Sequence, residues 1–176
     1  KGEIIKDYFL NYHARLSDLT VHLKNGQADY FNPTAEDWRV SLIDTGSHTM
    51  TGGRLLRLKN HLQSSGTFML TYGDGVSDVD LTALLAFHKA HGKLATVTAV
   101  RPSARFGGIR IGDGQVHDFT EKPQSGEGWI NGGFFVFEPG IFEYLEDDST
   151  VLEQLPLQNL VRDGQLMAYE HSGYWQ

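Results

Sequence analysis

The sequence contains no cysteine, so it can build neither a disulfide framework nor a thiolate zinc site. It also lacks an excess of positive charge: 15 Lys and Arg stand against 22 Asp and Glu, a formal net charge of -7. Nonspecific nucleic-acid affinity comes from clustered cations, so no nucleic-acid partner is expected, and a small anionic substrate would need a local basic pocket. The longest apolar runs, Leu81–Phe87 and Phe134–Phe137, fall far short of a membrane span. Lys1–Leu10 has no signal-peptide core, so no membrane partner is expected either. There are no internal repeats or low-complexity tracts. Gly-x-Ser-x-Gly, a Walker loop and Gly-x-Gly-x-x-Gly after a strand are missing too, which leaves triad hydrolases, P-loop enzymes and Rossmann dehydrogenases without support.

What is present is an ordinary globular composition, 40% hydrophobic and 21% charged over 176 residues, enough for one domain with a real core. Without cysteine, it fits a cytoplasmic protein. The central stretch is Phe68-Met69-Leu70-Thr71-Tyr72-Gly73-Asp74-Gly75-Val76. It reads as a buried strand that ends in a tight loop. Ligands of open α/β sheets sit beyond such strand ends. Gly73 and Gly75 would give the backbone room to turn and let a bulky ligand approach, while Asp74 offers a hard oxygen ligand for a phosphate-bound divalent cation. A plain Gly-Asp-Gly turn is the alternative.

Elsewhere, Gly2–Asn11 has helical spacing with one face for a core, Leu19–Leu23 alternates as a strand before an Asn25-Gly26 turn, and Ala28–Glu36 is a loop or hairpin excursion. Trp38–Asp44 returns to strand character. Gly52-Gly53-Arg54 opens a helix to about Leu62, with Thr51 as N-cap and Leu55, Leu58 and Leu62 inward. Its start is either a phosphate cradle of free N–H groups with Arg54, or a capped helix with a solvated arginine. Asp80–His91 is an amphipathic helix with Leu81, Leu84, Leu85 and His88 on one face, closed by Gly92. With the strand Leu94–Val100 it completes a β-α-β unit. A hairpin follows at Ile109–Ile111 and Val116–Phe119, then a strand within Glu127–Phe137, helices at Ile141–Leu145 and Glu153–Arg162, and a last strand at Leu166–Glu170.

Two further groupings are weaker. Asp78-Val79-Asp80 matches a metal-binding Asp-x-Asp, but it sits where a helix needs caps and first-turn acids. His88 and His91 have metal-pair spacing without a third ligand in sight. In Glu121-Lys122-Pro123, proline fixes the turn that would aim Lys122 at a phosphate, beside a carboxylate able to grip hydroxyls.

Taken in order, Thr49-Met50-Thr51-Gly52-Gly53-Arg54, Tyr72-Gly73-Asp74-Gly75-Val76, Arg105-Phe106-Gly107-Gly108, Glu121-Lys122-Pro123, Asn131-Gly132-Gly133-Phe134-Phe135 and His171–Gln176 resemble the sugar-phosphate nucleotidylyltransferases, most of all the glucose-1-phosphate cytidylyltransferases. The resemblance implies a Rossmann-like, glycosyltransferase-A-like α/β domain with a mixed, mostly parallel sheet flanked by helices. Residues 1–100 would form its nucleotide and metal part and residues 101–176 its sugar-phosphate pocket. It implies transfer of CMP from CTP to α-D-glucose 1-phosphate, Mg²⁺ as cofactor, a homo-oligomer to which the aromatics of Tyr30–Trp38 could contribute, and a product for bacterial surface polysaccharide. By the same resemblance Asp74 holds the metal, Thr49, Arg54 and Gly73 contact the nucleotide, Lys122 meets the sugar phosphate, and Glu121, Gly107 and Asn131 hold the sugar.

The family's Gly-Gly-x-Gly-Thr-Arg loop has no counterpart before Lys1, and its second metal carboxylate has none after Gln176. The sequence therefore reads as an internal piece, incomplete at both ends of the sheet and expected to be inactive alone. Alternatives are a synthase using UTP or dTTP, a noncatalytic sugar-phosphate-binding or assembly module, and a metal-dependent glycosyltransferase built on Asp78 and Asp80.

Overall fold

A computed structural model describes residues 2–34, 36–101, 108–112, 115–120 and 128–176, with backbone alone for 108–112 and 116–120. Contacts divide the chain into two units, Lys1–Gly46 and Ser47–Gln176.

The first unit begins with helices α1 (Gly2–Leu10) and α2 (Tyr12–Arg15). An antiparallel hairpin follows, β1 (Asp18–His22) and β2 (Gln27–Phe31), turned at Asn25-Gly26 with Gly26 at φ +73°. Tyr8, Phe9 and Tyr12 pack ring against ring along the helices. The expected core face of α1 is not there: Ile4 is 72% exposed, and no described residue from 2 to 46 is buried. So short a segment has too little interior to bury one. Trp38–Asp44 is not a strand either, because its backbone pairs with no other segment among the described residues. Tyr30, Phe31 and Trp38 are exposed.

The second unit opens with α3 (Thr51–Arg57) and α4 (Lys59–Leu62), two pieces separated at Leu58 where one helix was expected. Thr51 is not the N-cap. Met50 takes that place in extended backbone, and the Thr51 hydroxyl is used elsewhere. Next come β3 (Phe68–Thr71), α5 (Leu81–His91), β4 (Ala95–Val100), the antiparallel hairpin β5 (Gly108–Gly112) and β6 (Gln115–Thr120), and β7 (Ile130–Phe137). A 3₁₀ turn at Pro139–Tyr144 replaces the expected helix at Ile141–Leu145, and α6 (Leu155–Arg162) and β8 (Leu166–His171) finish the unit.

The four-stranded sheet has the order β3-β7-β4-β8. β7 runs antiparallel to both β3 and β4, while β4 and β8 are parallel. The fold is thus α/β with a mixed sheet in which β3, β4 and β8 share one direction. The β-α-β unit is present in direction but not in pairing, since β7 lies between its two strands. Among the described residues β3 has only β7 as neighbour, and its outward residue Met69 is exposed, so this strand is less buried than its apolar sequence suggests.

One sheet face carries the apolar core, where Phe135, Phe137, Ala95, Leu55, Ile141, Leu152 and Leu160 meet. The other face packs on α5. Its boundaries agree with the sequence: the Asp80 carboxylate accepts from the Ala83 N–H at 2.9 Å, and Gly92 closes the helix at φ +64°. Leu84 and His88 face the sheet, whereas Leu81, in the first turn, is half exposed.

Beneath α5 the expected histidine pair forms a hydrogen-bond relay, and no metal cluster is present among the described residues. The Lys93 N–H donates to His91 Nδ1 at 2.9 Å, which puts the imidazole hydrogen on Nε2 and directs it to Thr96 Oγ1 at 2.7 Å. Thr96 can then donate to His88 Nδ1 at 2.8 Å, and His88 Nε2–H to Glu138 Oε1 at 3.2 Å. Thr67 donates to the same Glu138 oxygen at 2.6 Å. Every member is satisfied in one direction, although His88 is 1% exposed. Two residues along β4, Thr98 Oγ1 is buried without a partner.

These two threonines give opposite expectations. Thr96→Val, which leaves two imidazoles short of a partner, should cost about 1–3 kcal/mol in urea unfolding, and Thr98→Val should be neutral or stabilising by about 1 kcal/mol. A pH effect is expected as well. Burial first, then the neighbouring His88 and Lys93, hold the His91 imidazole below its ordinary range. The folded protein then binds fewer protons than the unfolded chain between the lowered value and the ordinary one of about 6.5. His91 therefore contributes its full stability above that ordinary value and loses it as the pH falls towards the folded one. The urea midpoint should drop between pH 7.5 and 5.5, and drop less in His91→Gln.

Candidate functional site

Because β3, β4 and β8 share one direction, their carboxyl ends lie at one edge of the sheet, together with the start of β7. Thr71 pairs with Phe134 in β7, and Val100 pairs with both Ile130 and His171. Three loops therefore open at this edge. The Tyr72–Val76 loop leaves β3, Arg101 leaves β4, and Ser172–Gln176 leaves β8. Such an edge is where a twisted α/β sheet leaves room for a ligand.

Asp74 lies there, exposed, in the turn directly after β3. Gly73 and Gly75 do not serve the turn as the sequence suggests, since neither has positive φ. Among the described residues a Cβ at Gly73 would meet nothing within 4 Å, and one at Gly75 would touch only Phe134 at 3.9 Å. Among the described residues, then, no packing requires either glycine.

The close approach occurs opposite, in Asn131-Gly132-Gly133. The pairing of β7 with β4 shifts between Val97 and Ala99, and Gly132 and Gly133 are the extra residues of that bulge. Gly133 has φ +77°, and a Cβ there would come within 2.5 Å of the Tyr72 ring. Tyr72 also meets Phe135 edge to face at 6.0 Å. A Cβ at Gly132 would lie 2.8 Å from Val100. Asn131 Oδ1 accepts the Gly133 N–H at 2.8 Å, and its Nδ2 donates to the Tyr72 hydroxyl at 3.1 Å.

Tyr72 donates in turn to Glu153 Oε1 at 2.5 Å, while the Thr51 hydroxyl donates to Glu153 Oε2 at 2.7 Å and accepts the Leu152 N–H at 2.9 Å. Burial, and then the bond to Glu153, push the Tyr72 phenol above its ordinary range, so it stays a neutral donor. Tyr72, Thr51 and Glu153 were not expected as site residues. The hydroxyls of Tyr72 and Thr51 adjoin quoted motifs, but nothing in the spacing of Glu153 marks it.

The start of α3 differs from the phosphate cradle that the glycines suggested. Gly52 and Gly53 are buried against Asp148–Thr150, where a Cβ on either would come within 3.0 Å of backbone or side chain. The Gly53 N–H is taken by the Thr150 carbonyl at 3.1 Å. That partner loop is held by Asp147, whose carboxyl the Ser149 hydroxyl and amide keep below the usual range. Arg57 closes the contact on Asp148, with Nε at 2.8 Å. These glycines thus serve close packing. Arg54 is exposed in the first turn of α3, and Thr49 is only 6% exposed just before it.

At the ends of β4 and β8, Arg101, Trp129, Glu170 and Ser172 line an open cleft of about 270 Å³, with the Arg101 guanidinium 4.5 Å from the Trp129 ring centre. The last residues return to the Asp74 loop: Val76 and Gln176 exchange backbone hydrogen bonds at 2.9 Å, and Trp175 Nε1–H donates to the Gly132 carbonyl at 2.7 Å. His171 pairs with Asp78 at 2.9 Å, so Asp78 and Asp80 serve a strap and a helix cap. The structure thus gathers Asp74, Gly73 and Asn131 at one edge. Gly107, Glu121 and Lys122 lie outside the described residues.

A family model described as nucleotidyl transferase matches residues 39–176. The glucose-1-phosphate cytidylyltransferase of Salmonella typhimurium is 47% identical over the whole of this chain, which covers 68% of that protein. The mannose-1-phosphate guanylyltransferase catalytic subunit beta of Dictyostelium discoideum is 32% identical over 71% of this chain and 36% of its own length. Among solved structures, HddC from Yersinia pseudotuberculosis superimposes with a TM-score of 0.50 at 20% identity, over 72% of this chain and 56% of that one, a likeness of fold. The chain belongs to the nucleotidyl transferase family, within the sugar-1-phosphate nucleotidylyltransferases.

Proposed function

We propose that this chain forms the metal and acceptor portion of a glucose-1-phosphate cytidylyltransferase, which joins CTP and α-D-glucose 1-phosphate into CDP-glucose and pyrophosphate. The observation that carries the reading is the 47% identity over every residue of this chain to a protein of that name. The open strand-end edge with Asp74 supports it. In the reaction a phosphate oxygen of the acceptor forms a bond to the α-phosphorus of CTP as the bond to pyrophosphate breaks in line. No protein nucleophile is needed. The enzyme's task is to hold two anions together and offset their charge.

Asp74 fits a Mg²⁺ that takes most of its ligands from phosphates and water: it is an exposed carboxylate at a strand end, with no cluster of three metal-binding side chains around it among the described residues. Bound there, the cation would offset charge on the phosphates. Thr49, Arg54 and Gly73 are assigned to the nucleotide, Lys122 to the sugar phosphate, and Glu121, Gly107 and Asn131 to the glucose hydroxyls. On this reading residues 1–100 carry the nucleotide and metal part and residues 101–176 the acceptor pocket. A cytoplasmic homo-oligomer is proposed as well, supported by the exposed Tyr30, Phe31 and Trp38. CDP-glucose would feed bacterial surface polysaccharide.

The test is turnover by the purified full-length protein. CDP-glucose should form from CTP, with kcat/KM for UTP and dTTP lower by roughly tenfold or more, the scale of a few hydrogen bonds to the base. Asp74→Asn should lower kcat by about a hundredfold, whereas Asp80→Asn, which keeps a good N-cap, should leave it within twofold. Equal turnover of the three nucleotides, or an active Asp74→Asn, would overturn the assignment.

A further inference from the structure

Thr51, Glu153, Tyr72 and Asn131 come from four separate parts of the chain and form one continuous row of hydrogen bonds. We propose that Glu153 is a positioning residue that ties the nucleotide side of the site to the acceptor side, with Thr51 on one carboxylate oxygen and Tyr72, and through it Asn131, on the other. The proposal rests on the proposed function, which assigns Asn131 to the acceptor and Thr49 and Arg54, on either side of Thr51, to the nucleotide.

The row has one consistent direction. The Leu152 N–H donates to Thr51 Oγ1, which leaves the Thr51 hydrogen for Glu153 Oε2. Asn131 Nδ2 donates to the Tyr72 hydroxyl, which leaves the Tyr72 hydrogen for Glu153 Oε1. Both hydroxyls thus donate to a carboxylate that can only accept. Charge-assisted bonds of this kind are the stronger ones, and they fix both side chains at once.

The amide of Asn131 has one orientation here. Its oxygen is held by the Gly133 N–H, so the NH₂ must face Tyr72, with a second hydrogen that no described residue accepts and a ligand hydroxyl could. The Tyr72 ring cannot swing away, because it is seated on Gly133 and against Phe135. Glu153 itself stands one residue before Gln154, the N-cap of α6, whose Leu160 and Pro156 are buried. It is therefore anchored to the core and to neither substrate. A shift of Glu153 would move both the residue before Gly73-Asp74 and the first residue of α3.

The experiment is steady-state kinetics of the full-length protein with CTP and glucose 1-phosphate, alongside melting temperatures. Tyr72→Phe keeps the ring and removes the link, and should raise KM for glucose 1-phosphate roughly tenfold while KM for CTP stays within twofold. Glu153→Gln, which can accept at only one side-chain atom, should raise both KM values. In an Asn131→Ala background, Tyr72→Phe should add no further rise, because its effect passes through Asn131. A merely structural role would lower the melting temperature and add in the double variant. If Asn131→Ala raises KM for the sugar phosphate and Tyr72→Phe does not, the positioning role is overturned and the functional reading stands. If Asn131→Ala itself changes nothing, the acceptor assignment falls and the proposal with it. Should Tyr72→Phe fail to fold, Glu153→Gln decides alone: unchanged KM values would overturn the proposal.

Discussion

The strand-end edge depends on one close approach, the Tyr72 ring lying on the backbone of Gly133. No side chain fits between them, and the positive φ of Gly133 excludes one on conformational grounds as well. The ring can lie there because β7 carries two residues more than β4 opposite them. The bulge displaces Gly132 and Gly133 and leaves Asn131 paired with Ala99. Three features follow from this seat: the direction in which β3 ends, the orientation of the Asn131 amide, and the reach of the Tyr72 hydroxyl to Glu153. Asp74 stands two residues beyond the ring, so its place inherits that of Tyr72.

Much of the architecture was legible in the sequence, and particular residues explain where it was not. The boundaries of α5 were legible because Asp80 and Gly92 are local signals whose chemistry needs no tertiary partner. The insertion of β7 between β3 and β4 was not, because strand order depends on pairing across more than sixty residues, and no local pattern records it. Trp38–Asp44 has the composition of a strand but no paired strand among the described residues, and composition alone does not make a ladder.

The site shows the same contrast. The place of Asp74 just beyond a strand was legible because a lone carboxylate between glycines after an apolar run is a local feature, and the resemblance to the family named Asn131, which lies at the same edge. The turn expected of Gly73 and Gly75 needs no positive φ. Among the described residues little or nothing lies against Gly73 and Gly75, while Gly52, Gly53, Gly132 and Gly133 are under steric demand, each from a segment distant in sequence. Glu153 escaped because its role comes from two hydroxyls, one 102 residues away and the other 81. An acid before a helix reads locally as nothing more than a favourable first-turn charge.

The two faces of the sheet solve different problems. One excludes water with stacked Phe135 and Phe137. The other carries a chain of hydrogen bonds from Lys93 to Thr67 past α5, β4 and the end of β7, with His88 and Thr96 buried at its centre. An oily surface tolerates sliding, because one aliphatic contact can replace another. A chain of donors and acceptors does not. Were β4 to slip by a single position, Ala95 or Val97 would stand where Thr96 meets the two imidazoles, and the buried His88 would lose its Nδ1 partner while His91 lost the acceptor of its Nε2–H. The relay therefore acts as an indexing pin for the growing sheet: misthreaded intermediates carry a penalty that the native alignment escapes, and the strand that ends at Arg101 is delivered to the cleft with its phase already set.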